Sequence, residues 1–346
     1  MNEHNNLRQE KVNAFATSLV RVLDVAQARQ SADQAFAEKD PELKMQLLAM
    51  SAGIHPFAIP HLPAGADASK FFTFDAWRKS IAMARMVAVN TSSHRILVAS
   101  APKTGSTFLS SAMATTYNLA RASLTLLSAM IYGHSAFGGA LREHDVDELA
   151  LISNSFIPNG YMAHHHMICT PFLGKQLNLY GVLPVITKRN VFDTLVSLDD
   201  HTRKYHTGTP NAYLSSGLPD SWFSMEFDDR MNMLLDIYLP WFMRYYSTWT
   251  LCEAAGDINP LWISYETDIL GDKTKLAEKL ASKLRMPESG VPRLAEELGK
   301  VNPVTQHFNK GISGRGAAIT GKNREKIEDF FHRFRDVCDF SDILDA

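Results

Sequence analysis

The sequence predicts a three-layer α/β domain, a central parallel sheet flanked by helices, with extra helices ahead of it. Two observations carry this reading. From residue 94 onward, short β-prone runs alternate with helical apolar patterns, the order that a parallel sheet with crossover helices requires. Before that point the apolar residues fall at helical spacing.

Taken in order, residues 7–50 are rich in Ala, Leu, Gln, Glu and Lys, and Phe15, Leu19, Val22 and Ala26 recur at helical intervals. Two or three helices are expected there. Pro56, Pro60, Pro63 and Gly65 break the pattern, and residues 71–89 resume it as an amphipathic helix. The chain is therefore divided into an N-terminal helical extension, residues 1–92, and a larger α/β domain, residues 93–346. In that domain Arg95-Ile96-Leu97-Val98-Ala99 is the first strand, Ser100–Gly105 a turn-forming stretch, and Ser106 the start of a helix. Tyr161–Ile168 is the second strand. Leu183–Thr187 is the third, followed at once by the helical pattern Val191, Leu195, Leu198, and Leu261–Tyr265 is a fourth ahead of a charged helix over 272–285. Residues 228–255 read as an aromatic-rich helix interrupted at Pro240, and 322–336 as a polar amphipathic one. The loop from His206 to Asp220, with Gly208, Pro210, Gly217 and Pro219, is the expected mobile flap over a site.

Composition narrows the function. Of 346 residues, 45% are hydrophobic and 21% charged, an ordinary globular balance that excludes collagen-like or largely disordered chains. With 35 Lys+Arg against 37 Asp+Glu the formal charge is −2, so no global positive field exists to hold a nucleic-acid backbone, and any anion must be bound locally. Cys169, Cys252 and Cys338 are far apart, without CxxC spacing, and suggest neither a disulfide framework nor a zinc knuckle. The polar start, Met1 to Glu10, and the lack of a long apolar run predict a cytoplasmic protein with no membrane anchor.

Three elements carry chemistry. Ala101-Pro102-Lys103-Thr104-Gly105-Ser106-Thr107-Phe108 lies between a strand and a helix, where backbone N–H groups, hydroxyls and an ammonium can nest a phosphate-like anion. It is not a Walker A loop, because Lys103 precedes Gly105 by two residues instead of following the last glycine, and a plain surface turn is the alternative. Arg189-Asn190-Val191-Phe192-Asp193-Thr194-Leu195-Val196-Ser197 follows the third strand. Arg189 stands at the C-terminal edge of the sheet and Ser197 about two helical turns on, so together they could hold a second anion. A simple helix N-terminus with Asp193 in its dipole-favoured first turn is the alternative. The third element is His164-His165-His166. Period-two geometry puts His164 and His166 on one face and His165 on the other. A general base, a metal site or a structural set are the competing roles.

The first two motifs resemble the sulfotransferases that use 3′-phosphoadenosine 5′-phosphosulfate (PAPS). Lys103 to Phe108 is similar to that family's 5′-phosphosulfate loop, and Arg189 to Ser197 to its 3′-phosphate motif, with the same eight-residue interval. Tyr265-Glu266 resembles its Tyr-Glu segment, and Asn309-Lys310-Gly311-Ile312-Ser313-Gly314 its C-terminal Arg-Lys-Gly-x-x-Gly loop. The likeness spans roughly residues 94–336 and leaves the N-terminal extension unexplained. It departs at Asn309, which stands for the family's arginine, with Arg315 near enough in sequence to substitute, and the family's following tryptophan is missing.

The resemblance implies a P-loop-like phosphosulfate loop and a role for each residue. Lys103 would meet the bridging and phosphate oxygens, Thr104, Gly105, Ser106 and Thr107 the 5′-phosphate, and Phe108 the adenine. Arg189 and Ser197, with Lys310 and the Gly311 amide, would hold the 3′-phosphate, and Tyr265 would sit by the base. A Lys-Thr-His stretch ends a strand in the family. Aligning it makes His166 the base, with His164 in the lysine's place. The expected reaction moves the sulfuryl group of PAPS to a hydroxyl or phenol of a small-molecule acceptor, leaving adenosine 3′,5′-bisphosphate (PAP), with no metal required, no nucleic acid or membrane partner, and homo-oligomerisation open. An ATP-dependent P-loop kinase and a non-catalytic nucleotide-binding protein are the rival readings. Asp199-Asp200-His201 is expected to be a solvated helix face or a helix–helix contact, and Trp222, Phe223, Tyr238, Trp241 and Phe242 to be core.

Overall fold

A computed structural model describes residues 7–8, 10–12, 14–15, 18, 25–44, 46–47, 74–125, 141–142, 146–206, 218–300 and 312–345. The chain forms two compact units. The first takes in described parts of residues 1–92, 124–136 and 146–157, and the second those of 93–123, 137–145 and 158–346.

In the first unit the helices are α1 (Val25–Ala37), α2 (Phe74–Asn90) and, from a later stretch, α4 (Glu148–Ser155). Ala35, Leu43 and Leu47 form a small core against which Val12 and Phe15 pack. Leu19 and Val22 lie outside the described residues. The Asp147 side chain caps α4 by accepting from the Leu149 N–H, satisfying one of the orphan donors of a helix start. Arg85 of α2 pairs with Glu148 at 2.8 Å, and the Thr91 hydroxyl donates to the Ser155 carbonyl at 3.0 Å.

The second unit is built on an all-parallel sheet. Its strands are β1 (His94–Ser100), β2 (Ala120–Ala122), β4 (Gly160–Met167), β5 (Leu183–Lys188) and β6 (Leu261–Ser264), in the order β2-β4-β1-β5-β6. A two-residue β3 (Leu141–Arg142) pairs with the end of β4. The α/β class with a central parallel sheet and flanking helices is thus present as the alternation required. β1 reads as an unbroken apolar run because it is central: Ile96, Leu97, Val98 and Ala99 are each fully buried. Helix α3 (Ser106–Tyr117) follows it, and α5 (Pro171–Leu179), α6 (Val191–His206), α7 (Phe227–Ala254), α8 (Lys273–Lys283), α9 (Val291–Gly299), α10 (Gly321–His332) and α11 (Ser341–Leu344) complete the unit. One core cluster joins Ile96, Val98, Leu109, Met113, Val185 and Ile263 with apolar residues of α8 and α9.

Strand order fixes where a ligand can sit. From β1 the chain goes to one side, to β2 and then β4, and afterwards to the other, to β5 and β6. The C-terminal end of β1 is therefore a topological switch point, the place where open α/β sheets form a crevice.

Two expectations need correction. Helix α7 is not interrupted at Pro240 but runs unbroken across it. Pro240 and Asp236, whose carbonyl loses its helical donor, are both exposed, so water can replace the missing bond. The fourth strand ends at Ser264, and Tyr265 opens a π-helical turn, Tyr265–Ile269, instead of closing the strand. The expected flap falls outside the described residues over 207–217. Trp222, Tyr238, Trp241 and Phe242 are buried, as expected of core aromatics. Cys169, Cys252 and Cys338 form no disulfide. Among the described residues no helix is long and apolar enough to cross a membrane.

Candidate functional site

The loop leaving β1 turns sharply because two residues take the left-handed conformation, Lys103 at φ 68° and Gly105 at φ 82°. Gly105 has a further reason to lack a side chain: a Cβ there would stand 2.7 Å from Ile269 Cδ1 and 3.3 Å from Tyr265 Cδ2. It is the N-cap of α3 and supplies no side-chain cap, so the first N–H groups of the helix are left for an external acceptor. Ser106 is buried and Thr107 half-buried beside them. Thr104 faces the other way. Its hydroxyl bonds the Ala101 carbonyl at 2.7 Å and the Thr187 hydroxyl at 2.6 Å, fastening the loop to β5, so its part in an anion site would run through its backbone. Phe108 lies in the core cluster, 6% exposed, so the stacking on adenine expected of it has little ring surface to use.

Arg189 follows β5 and joins three loops. Its guanidinium donates to the Lys103 carbonyl at 2.9 Å and to the Ile312 carbonyl at 3.1 Å, and its Cζ stands 3.9 Å over the Tyr265 ring. Asp193 Oδ2 is 3.7 Å away. The Nε is buried and has no hydrogen-bond partner among the described residues, the mark of a donor awaiting an acceptor. Burial lowers the guanidinium's pKa, with Tyr265, Asp193 and Glu266 opposing. Asn190 Oδ1 accepts from the Asp193 N–H at 3.1 Å and so caps α6, on which Ser197 is buried. Next to Arg189, Thr104, Thr187 and Tyr245 help line a cavity of about 20 Å³, room for one water.

Asp193 also fastens the C-terminal loop, accepting from the Gly314 N–H at 2.8 Å and the Gly316 N–H at 2.6 Å. Lys310, Gly311 and Asn309 lie outside the described residues. Arg315 pairs with Asp200. Sequence reasoning did not foresee this contact, nor the one beside it: Lys103 Nζ lies 3.2 Å from His201 Nδ1. His201 is four residues past Ser197, on the same face of α6, and that spacing was the available signal. Burial lowers the Lys103 ammonium to about 8; Arg189 and Lys204 add to the effect and Asp200 opposes it. The Asp199-Asp200-His201 run is a helix–helix and helix–loop contact and not a solvated face. Asp199, 1% exposed, takes Arg230 of α7 at 2.8 Å.

At the end of β4, alternation sets His164 and His166 on one face, with ring centroids 5.3 Å apart, and His165 is fully buried. The hydroxyl of Ser100, the last residue of β1, lies 3.1 Å from His164 Nε2 and 3.0 Å from His166 Nδ1. Burial pushes the His164 imidazole down to about 3, with His166 and Arg121 adding, so it is held neutral. Ser100 was missed at the sequence level because it reads as the start of a turn. Among the described residues no group of three or more metal-ligating side chains occurs.

The loop after β1, Arg189 after β5, the histidines of β4 and Tyr265 after β6 thus stand at one edge of the sheet, around the switch point. No family model and no curated protein matches the chain. A solved structure similar to it is that of mouse sulfotransferase SULT7A1 complexed with PAP, at 16% identity and a TM-score of 0.47, covering 70% of this chain and 85% of that one.

Proposed function

We propose that the chain is a PAPS-dependent sulfotransferase acting on a hydroxyl or phenol of a small-molecule acceptor. The observation that carries this is the meeting, at one sheet edge, of an uncapped helix start with Lys103, of Arg189, whose buried Nε has no partner among the described residues, and of the His164–His166 pair. The first two are anion sites on different strands, which suits a ligand with two separate phosphate groups. The third is a proton acceptor beside them.

Bound PAPS supplies an activated sulfuryl group. The α3 N-terminus and Lys103 hold the 5′ end, and Arg189 with Ser197 holds the 3′-phosphate, assisted by Lys310 and the Gly311 amide. His166 takes the acceptor's proton as the acceptor oxygen forms its bond to sulfur and the bond from sulfur to the phosphate oxygen breaks. Lys103 stabilises the charge left on that oxygen, and PAP departs. Catalysis is positioning and electrostatics. The rival kinase chemistry needs a carboxylate near the loop to hold Mg²⁺. Asp200, which bears on Lys103, and Asp193, which bears on Arg189, are instead taken up by Arg315 and by the Gly314 and Gly316 amides.

Incubation with PAPS and a panel of phenols and alcohols, following PAP by chromatography, tests the reading. Sulfated product that persists in EDTA is expected. Turnover that appears only with ATP, and is lost on chelation and restored by Mg²⁺, would favour the kinase.

A further inference from the structure

The hydrogen bonds around Ser100 determine more than proximity. His166 Nδ1 lies 2.9 Å from the Ser100 backbone carbonyl as well as 3.0 Å from its hydroxyl. A carbonyl oxygen accepts only, so Nδ1 must carry the proton, and in the neutral ring the lone pair is then on Nε2. The hydroxyl has one proton to donate, and His164 Nε2 at 3.1 Å is the acceptor that completes the set. Among the described residues, the assignment that satisfies all of these atoms is His166 Nδ1–H to Ser100, and Ser100 Oγ–H to His164 Nε2. Low pKa at His164 is consistent with this order, because a neutral ring is what an accepting Nε2 needs.

We infer that the Ser100 carbonyl fixes His166 as the Nδ1–H tautomer, with Nε2 as its basic atom, and that the Ser100 hydroxyl, oriented by His164 as its neutral acceptor, is a positioning group that holds the His166 ring in place. The functional part of this rests on the sulfotransferase reading, in which His166 Nε2 takes the acceptor's proton. The tautomer itself does not rest on it. Ser100 is fully buried at the end of the central strand, and β1 pairs in register with β4 through Val98 with His164 and Ala99 with His165, so its carbonyl and hydroxyl are held where the two rings meet. His164 here stabilises a geometry; it is not itself a base.

Long-range ¹H–¹⁵N correlation spectra of the unliganded full chain, with His164→Gln and His166→Gln variants for assignment, read both tautomers without substrate. His166 and His164 are both expected as Nδ1–H forms in the wild type. In Ser100→Ala the carbonyl remains, so His166 should keep its tautomer while His164, without its donor, becomes a mixture. With PAPS and an acceptor, Ser100→Ala should lower kcat about tenfold or more with KM for PAPS nearly unchanged, and Ser100→Thr, which keeps the hydroxyl, should restore it. An Nε2–H form of His166 in the wild type would overturn the inference. So would wild-type kcat together with an unchanged His164 spectrum in Ser100→Ala. If no acceptor is sulfated, the sulfotransferase reading fails, and the spectra still decide the tautomer.

Discussion

Lys103 is a residue whose charge the fold shifts within the range of ordinary assay pH. Its ammonium sits at about 8 against an ordinary 10.5, burial being the main cause. The sign follows: between those values the unfolded chain holds a proton that the folded chain has lost, so this residue makes stability rise with pH across that window. A bound dianion acts in the opposite direction and restores the proton. Binding of PAP at about pH 8.5 is therefore expected to take up protons, read by calorimetry in two buffers of different ionisation enthalpy, and Lys103→Ala should abolish the uptake. Net proton release on binding would contradict the placement of Lys103 against the anion. The histidines separate by face. His166→Ala should lower kcat by about 10²-fold or more with PAP affinity nearly unchanged, His165→Ala should cost mainly stability, and His164→Ala should fall between. Steady-state kinetics with thermal melts checks this. Loss of turnover in a folded His165→Ala with activity kept in His166→Ala would move the base to the other face.

Helix α6 shows which elements could be read in advance and which could not. Its start at Val191 follows from Asn190 as a cap and from apolar residues at helical intervals, both visible in the chain. Its far end was ambiguous, because Asp199-Asp200-His201 has the composition of a solvated face and only the packing of α7 and the loop at Arg315 reveals that it is buried. Pro240 illustrates the converse. A proline signals a break, but whether a helix continues depends on whether the abandoned carbonyl meets water, which is a property of the surface and not of the residue. The buried contact between α6 and α7 has a measurable weight. Arg230, with 9% of its side chain exposed, donates to both oxygens of Asp199, whereas Arg203, 45% exposed, pairs with the same carboxylate from outside. Arg230→Ala leaves a buried carboxylate short of its main partner and is expected to cost about 3–5 kcal/mol in urea unfolding, against about 1 kcal/mol or less for Arg203→Ala. Equal effects would mean that the pair contributes no more than a surface ion pair.

Across the molecule, the alternation of strands and helices announced a parallel sheet, yet it did not reveal the strand order or the short β2 and β3, since runs of three and two residues carry no period. The site was visible as separate motifs because each is local: a loop of six residues, an Arg-to-Ser interval, a histidine run. What joins them is non-local. Ser100 and His166 are 66 residues apart, Lys103 and His201 are 98, and Asp193 meets Gly314 across 121, so no window along the chain contains these pairs. With a net charge of −2 the protein has no general attraction for anions, so on the proposed reading nucleotide affinity would have to come from these assembled contacts. In the proposed function the 3′-phosphate would be the discriminating group, since Arg189, Ser197 and Lys310 are proposed to hold it and each charge-assisted hydrogen bond is worth about 1.5–3 kcal/mol. Isothermal calorimetry of PAP against AMP on the same preparation measures that group alone. PAP is expected to bind at least about tenfold more tightly, and equal affinity for the two would contradict the assignment of this edge of the sheet to a 3′-phosphorylated nucleotide.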